Sequence, residues 1–173
     1  MKIFVSDVES GRFSHYMMKH WSDMGHEVVL EGGYNPARAD WADLIYLEWT
    51  DVSCQLASKQ EWFENSPNDR FSRPIKNREN KKIVNRMIDI DMWAGHAGNV
   101  DWSGIDDLIF IAPHIQKVAN ERFKLGSVRQ HLIRPGLDIS KWSFREKRDA
   151  EIKNICYVGE LWENKGVDRA LRI

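Results

Sequence analysis

Short apolar runs alternate with segments of helical spacing along most of the chain. The first run, KIFVSD, precedes SHYMMKHWSDM, in which apolar and aromatic residues recur every three or four positions. Ser14 is placed to cap this helix at its start, and Gly25 is placed to end it in a left-handed turn. The apolar run HEVVL follows. A strand, a helix and a second strand of this kind predict a parallel βαβ unit.

The same alternation continues as far as Gly136. It predicts helices that begin at Pro36 and Pro113, the second of them closing near Gly126, and a helix over VSCQLASKQEWF. A long polar connection, SPNDRFSRPIKNRENK, follows the last of these. The other predicted strands are DLIYLEW, KKIVNRMIDID, IDDLIFIA and SVRQHLIRPG. Six strands with helices between them predict an α/β, Rossmann-like, mostly parallel sheet with helices on both faces.

The C-terminal part of the chain has a different pattern. The stretch DISKWSFREKRDAE is charged and poor in aliphatic residues, as is typical of a linker, and ICYVGELWENKGVDRALRI then has the pattern of a strand, a polar turn and the start of a helix. We therefore predict a first domain over residues 1–137, a linker over 138–151 and the start of a second domain over 152–173. The apolar strand KNICYV is expected either to pack against the first domain or to pair with a second copy of the chain.

Composition narrows the class of protein. The chain has 173 residues, 42% of them hydrophobic and 29% charged, as in ordinary globular proteins. A net charge of −1 predicts no nucleic-acid partner. No apolar run reaches the ~18 residues of a membrane span and no signal sequence is recognisable, so the expected location is the cytoplasm. Cys54 and Cys156 lack metal-binding or disulfide spacing, so we expect reduced thiols and no metal site.

Five segments, in order, resemble parts of a known enzyme family. They are GHEVVL, KIVNRMIDID, IDDLIFIAPHIQKVANERF, IRPGLDISKWSF and YVGELWENKGVDRAL. They resemble the group 1 glycosyltransferases, which are retaining, nucleotide-sugar-dependent enzymes with the GT-B fold. In that family two Rossmann-like domains face each other across the active site, the N-terminal one mostly holding the acceptor and the C-terminal one the donor.

The resemblance implies that this chain is the acceptor-side domain with the first donor-binding loop, and that the rest of the C-terminal domain is missing. The parent enzyme would move a sugar from a nucleotide-diphosphate sugar to a hydroxyl of a sugar, lipid or small molecule. No separate cofactor is implied. The isolated chain is expected to be inactive or nearly so.

Parallel sheets bind ligands beyond the carboxyl ends of their strands, so the candidate site residues follow the predicted strands. Asp89 and Asp91 are predicted to point the same way by the two-residue period of a strand and to orient or deprotonate the acceptor hydroxyl. The resemblance implies that Lys165 and Gly166 bind the donor phosphates, next to a helix start that favours anions. The predicted substrate-binding residues are Gly11, Arg12, Glu48, His96, His114 and Arg134.

Each of these residues also fits a structural role. Lys165 and Gly11 suit simple turns, the two aspartates suit helix caps, and lone histidines usually pack or cap. The family commonly has an arginine where this chain has Glu160, and a histidine near Asp89. These departures favour the alternative of a non-catalytic Rossmann-like binding or regulatory module.

Overall fold

The computed structural model of the protein describes residues 1–59, 75–136, 139–141, 158 and 165–171 of the 173-residue chain. The chain divides into two compact units, Met1–Gly136 and Leu137–Ile173. The first unit contains the whole described sheet and ends next to the predicted boundary after residue 137.

The first unit is built on a six-stranded, all-parallel sheet with the order β2-β1-β3-β4-β5-β6. The predicted α/β, Rossmann-like fold is confirmed. Because the chain first moves outward from β1 to β2 and then returns past β1 to β3, the direction of winding reverses between β1 and β3. The strands are β1 (Lys2–Ser6), β2 (Glu27–Glu31), β3 (Leu44–Leu47), β4 (Lys82–Met87), β5 (Asp107–Phe110) and β6 (Arg129–Leu132).

Helices or short 3-10 turns connect the strands. Proline stands at the first turn of α2 and of α4, as predicted, because its fixed φ suits a helix start and its missing N–H would be unpaired there anyway. Gly25, with φ +80°, follows the end of α1 as predicted. The helices are α1 (His15–Asp23), α2 (Pro36–Trp41), α3 (Val52–Ser58), α4 (Pro113–Arg122) and, in the second unit, α5 (Val167–Ala170).

Several predicted boundaries are wrong. The fourth strand ends at Met87 instead of Asp91, because the chain turns into a 3-10 helix at Ile90–Met92. Strand β6 is shorter than the predicted run SVRQHLIRPG. The segment AGHAGN, which contains His96, forms a second 3-10 helix over His96–Asn99. Helix α4, in contrast, ends at Arg122, within one residue of the end of the segment PHIQKVANERF, and the left-handed Gly126 follows.

Two hydrophobic cores cover the two faces of the sheet. On one face α1 contributes Met17, Met18 and Trp21, which pack against Ile3, Val5 and Tyr46. On the other face a larger core joins strand residues such as Phe4, Leu47 and Phe110 to buried residues of α2, α3 and α4. The predicted placement of helices on both faces is therefore confirmed.

Some predictions fall on parts of the chain that the structure does not describe. Outside the described residues lie Cys156, most of the connection around residues 60–74, the linker over 138–151 except for the 3-10 helix Ile139–Lys141, and the strand KNICYV except for Val158. Cys54 is buried and free, as expected. Within the described ranges, the helices are all too short or too polar to cross a membrane.

Candidate functional site

Polar and aromatic side chains collect at the carboxyl edge of the sheet between β1 and β3. Open parallel sheets bind their ligands at this reversal of strand order. We refer to these residues as the switch-point cluster: Asp7, Ser14, Tyr46, Glu48, Trp49 and Arg86.

Asp7 organises the β1 side of the switch-point cluster. It is fully buried at the end of β1. Its Oδ1 accepts hydrogen bonds from the Glu9 amide at 2.9 Å and from Trp49 Nε1 at 3.1 Å. Its Oδ2 accepts from Ser14 Oγ at 2.9 Å. Ser14 does stand at the N-cap position of α1, but its hydroxyl is bound to Asp7 and does not cap the helix as predicted.

Glu48 and Arg86 form the β3–β4 side of the cluster. Arg86 Nη1 donates to Glu48 Oε1, with 17% of the arginine side chain and 2% of the glutamate side chain exposed. Glu48 Oε2 is buried and accepts no hydrogen bond from the described residues. The Tyr46 hydroxyl is close enough to both charged groups to affect their ionisation.

The surroundings of Glu48 change its acidity. Burial raises the pKa of Glu48 from its ordinary value of 4.5 to about 7, although the charge of Arg86 and the Tyr46 hydroxyl oppose this rise. The nearby Asp7 carboxylate raises the pKa of Glu48 further. A carboxyl group with a pKa near neutrality can accept or release a proton under ordinary conditions, which is the requirement for an acid or base in a reaction.

Gly11 and Arg12, two predicted substrate-binding residues, lie beside this cluster in the loop between β1 and α1. Gly11 is buried and has φ +86°. Arg12 lies over the Phe13 ring, 5.6 Å from its centroid, and that ring makes an edge contact with Trp49 at 5.5 Å. The structure therefore brings Gly11, Arg12 and the predicted residue Glu48 to one region.

Asp89 and Asp91 do not form a pair. The prediction that both point the same way from a strand is wrong, because they flank and enter the 3-10 helix Ile90–Met92. Asp89 is exposed, whereas Asp91 is buried and its Oδ2 accepts from the Ile88 amide at 2.9 Å. Burial raises the pKa of Asp91 to about 6, against the effect of hydrogen bonds from the backbone amides of Ile88 and Thr50. The capping alternative is also wrong for Asp89, which stands at the N-cap position of this helix but makes no side-chain cap hydrogen bond.

The other predicted substrate-binding residues are apart from the switch-point cluster. His114 is exposed at the start of α4, beyond β5, and Arg134 is exposed beyond β6, so both follow strands on the far side of β4 from β3. The ring and carbonyl of His96 both face Gln55 of α3, whose Nε2 lies 3.2 Å from Nδ1 and donates to the carbonyl at 3.0 Å. These positions do not converge on Glu48.

Lys165 and Gly166 belong to the second unit, where Lys165 is exposed and Gly166, with φ +77°, precedes α5. Their role in binding donor phosphates stays a prediction. In the described part of the chain, His, Cys, Asp and Glu residues form no group of three or more that could hold a metal ion.

A groove of about 450 Å³ lies elsewhere in the first unit, between residues 97–103 and 122–127. Because α4 runs from the carboxyl edge of the sheet back to the amino edge, the groove borders the end of α4 farther from the switch point. It contains none of the predicted site residues.

Of the switch-point cluster, sequence reasoning singled out only Glu48. Asp7 and Trp49 lie at the ends of predicted strands, where ligands were expected, but were not named, and Ser14, Tyr46 and Arg86 were missed as site residues. Arg86 had only a weak signal, as a charged residue inside a predicted strand that also contains Lys82 and Asn85. Glu48 follows the preceding strand of the chain, so opposite charges near the ends of two consecutive strands were visible in the sequence.

Comparison of the chain with protein-family models, curated proteins and solved structures found no match. Functional inference for this protein therefore starts from its residues and from the geometry of the switch-point cluster.

Proposed function

We propose that the first unit is the acceptor-side lobe of an enzyme that transfers a sugar from a nucleotide-diphosphate sugar to an acceptor hydroxyl. The observation that carries the proposal is the switch-point cluster. There a buried carboxyl group whose pKa lies near 7 is held by an arginine, at the edge where parallel sheets bind ligands.

The chemistry of such a transfer matches this group. A bond forms between the acceptor oxygen and the sugar carbon, the bond from that carbon to the leaving phosphate oxygen breaks, and the hydroxyl proton must be taken up. The Glu48 carboxyl group can orient this hydroxyl by accepting a hydrogen bond from it. Because the pKa of Glu48 is about 7, the same group can also accept the proton. Asp91 is less suited, because Oδ2 is already bound to a backbone amide.

Three of the five segments that resemble the glycosyltransferases coincide with described helices and strands, in the order of the resemblance. GHEVVL covers the turn after α1 and most of β2, KIVNRMIDID covers β4 and the following turn, and IDDLIFIAPHIQKVANERF covers β5 and α4. In the proposed enzyme, Lys165 and Gly166 contact the donor diphosphate, and the nucleotide sugar is a substrate that requires no separate cofactor.

The test is a transfer assay with the protein expressed from its complete gene, beside the 173-residue chain. Each is incubated with a panel of nucleotide-diphosphate sugars and a mixture of sugar, lipid and small-molecule acceptors, and release of nucleoside diphosphate is measured. We expect acceptor-dependent release by the complete gene product and little or none by the 173-residue chain. Absence of release with every donor, or full activity of the 173-residue chain, would contradict the proposal.

A non-catalytic binding module is the alternative, and one observation favours it. Glu48 is only 2% exposed and Asp91 is occupied by backbone amides, so the buried carboxyl groups at this edge are not open to solvent. A module of this kind would bind a ligand at the switch-point cluster without releasing nucleoside diphosphate.

A further inference from the structure

The Glu48 carboxyl group is only half paired. Oε1 accepts from Arg86, and the Tyr46 hydroxyl is close enough to the carboxyl group to lower its pKa. Oε2 is nevertheless buried, and among the described residues no donor meets it in hydrogen-bonding geometry. A buried acceptor without a donor is unfavourable, so this position gains stability from any ligand that brings a hydrogen-bond donor to Oε2.

Arg86 provides the complementary half of a binding site. Its guanidinium has five N–H donors, of which Nη1 donates to Glu48. Among the described residues, no nitrogen of Arg86 is both buried and unpaired, so its other donors reach solvent or a partner. Its side chain is 17% exposed against 2% for Glu48, so a ligand meets Arg86 first. Because Oε2 is enclosed, its engagement requires a local shift of Glu48 or its neighbours.

The charges around this pair favour a neutral ligand over an anion. Arg86 is the cation with the main effect on Glu48, and a second carboxylate, that of Asp7, is close enough to Glu48 to raise its pKa further. A phosphate placed here would be repelled by the carboxylates, whereas a hydroxyl can donate to Glu48 and accept from Arg86 without such a cost. Tyr46 contributes a neutral hydroxyl, because burial raises the pKa of its phenol far above the ordinary value.

Aromatic surface lies next to the same residues. Trp49 donates to Asp7 and is contacted by the edge of Phe13, whose ring is half exposed. An exposed aromatic ring beside a carboxylate and an arginine offers apolar contact to the ring carbons of a ligand and hydrogen bonds to its hydroxyl groups.

We propose that Glu48 and Arg86 bind a neutral, hydroxyl-rich compound of the carbohydrate class, one hydroxyl donating to Glu48 Oε2 and a neighbouring oxygen accepting from Arg86. The inference rests on the proposed function only in naming this compound as the acceptor. According to this inference the acceptor is a sugar and not a lipid, and the donor diphosphate does not bind at Glu48 and Arg86.

The direct test measures the ionisation of Glu48 in the unmodified chain. Glutamate is labelled with ¹³C at the carboxyl carbon, and the pKa of Glu48 is measured by NMR alone, with saturating methyl hexopyranosides, and with inorganic pyrophosphate. A hydroxyl that donates to the charged carboxylate should lower the pKa of Glu48 by about one pH unit. A pKa that no glycoside lowers, or a rise with pyrophosphate bound beside Arg86, would overturn the inference.

A matched pair of variants tests the contact itself. Glu48→Gln keeps an oxygen for Arg86 but replaces the second acceptor by an amide group, and the loss of one charge-assisted hydrogen bond should weaken glycoside binding about tenfold or more. Glu79→Gln makes the same exchange at an exposed glutamate before β4, outside every predicted site, and should leave binding unchanged. Circular dichroism checks that both variants fold. Equal affinity of Glu48→Gln and Glu79→Gln would count against the site.

The transfer assay separates this inference from the proposed function. Glycoside binding that lowers the pKa of Glu48, combined with no sugar transfer by the complete gene product, retains the site and rejects the transferase. Sugar transfer that proceeds while no glycoside affects Glu48 retains the transferase and rejects the site.

Discussion

Glu48 and Asp91 are two buried carboxyl groups at the same edge of the sheet, and they differ mainly in their partners. Burial raises the pKa of both, to about 7 for Glu48 and about 6 for Asp91. Asp91 accepts hydrogen bonds from one backbone amide after β4 and one after β3, whereas Glu48 faces Arg86 and keeps an unpaired oxygen. Burial and a raised pKa therefore do not identify a functional group by themselves, whereas an incomplete set of partners marks a candidate for ligand binding.

The neighbourhoods of the two groups show the same contrast. On the Asp91 side, Asn85 donates to the carbonyls of Leu47 and Trp49 and accepts from the Thr50 hydroxyl, so the side-chain amide joins the ends of β3 and β4. Hydrogen bonds of this kind fix the backbone. The Glu48 side lacks such a complete network, which makes it the better candidate for a ligand.

The largest expected effect concerns the structural role of Asp91. Asp91→Ala removes the acceptor for the buried amides of Ile88 and Thr50. Since an unpaired buried donor costs about 1–3 kcal/mol, we expect the free energy of unfolding to fall by about 4 kcal/mol. Urea unfolding followed by tryptophan fluorescence measures this change.

Asp89→Ala is the matched control, because Asp89 is exposed and only two positions away. Its effect should be within about 0.5 kcal/mol, as for most surface substitutions. If the two variants lost equal stability, the hydrogen bonds that Asp91 accepts from the backbone would not stabilise the fold.

A smaller effect concerns the pH dependence that Glu48 imposes on stability. Because the pKa of Glu48 is raised in the folded protein, its carboxyl group stays protonated to a higher pH in the folded protein than in the unfolded chain. The contribution of Glu48 to stability therefore falls as the pH rises from about 4.5 to about 7 and is constant above that range. A rise of this size in the pKa of Glu48 corresponds to a loss of about 3 kcal/mol in the free energy of unfolding across that pH range.

Glu48→Gln removes this ionisation, so its free energy of unfolding should vary much less between pH 6 and pH 8 than that of the original protein. Asp91→Asn should instead flatten the lower part of the curve, between its ordinary pKa of 3.8 and about 6. Thermal unfolding at a series of pH values gives all three curves. Identical curves for Glu48→Gln and the original protein would show that Glu48 does not carry the raised pKa.

The sequence was sufficient to predict the fold class and to locate the elements. Apolar runs and proline at helix starts mark β1 and α2 directly, because these signals are local. Strand ends were less predictable, as β4 shows. Its apolar pattern continues past Met87, but the Ile88 amide binds the Asp91 side chain and the chain leaves the sheet.

The candidate site was only partly predictable for a related reason. Glu48 was recognised from its position after a strand, but its pairing with Arg86 depends on β3 and β4 being neighbours in a particular register. The hydrogen bond between Trp49 and Asp7 likewise joins residues that follow β1 and β3 and are far apart in the chain. No local pattern encodes such pairs, and charge spacing along the sequence gives only an indication of them.

The smallest expected effect tests how tightly the loop beside Asp7 is held, compared with a turn outside the site. Gly11 and Gly25 both have left-handed backbone conformations, with φ +86° and +80°. Alanine in such a conformation costs about 1 kcal/mol. A Cβ at Gly11 would also lie 2.9 Å from Leu30 Cδ2, whereas a Cβ at Gly25 would have no neighbour within 4 Å.

We therefore expect Gly25→Ala to lower the free energy of unfolding by about 1 kcal/mol and Gly11→Ala by about 2 kcal/mol, the difference coming from displacement of the Leu30 side chain. Urea unfolding of the two variants measures both values. Because the backbone cost is shared, the comparison isolates the packing of the β1–α1 loop on β2. Equal losses would mean that the Leu30 side chain moves aside at little cost, and that the loop beside the switch-point cluster is not tightly packed on β2.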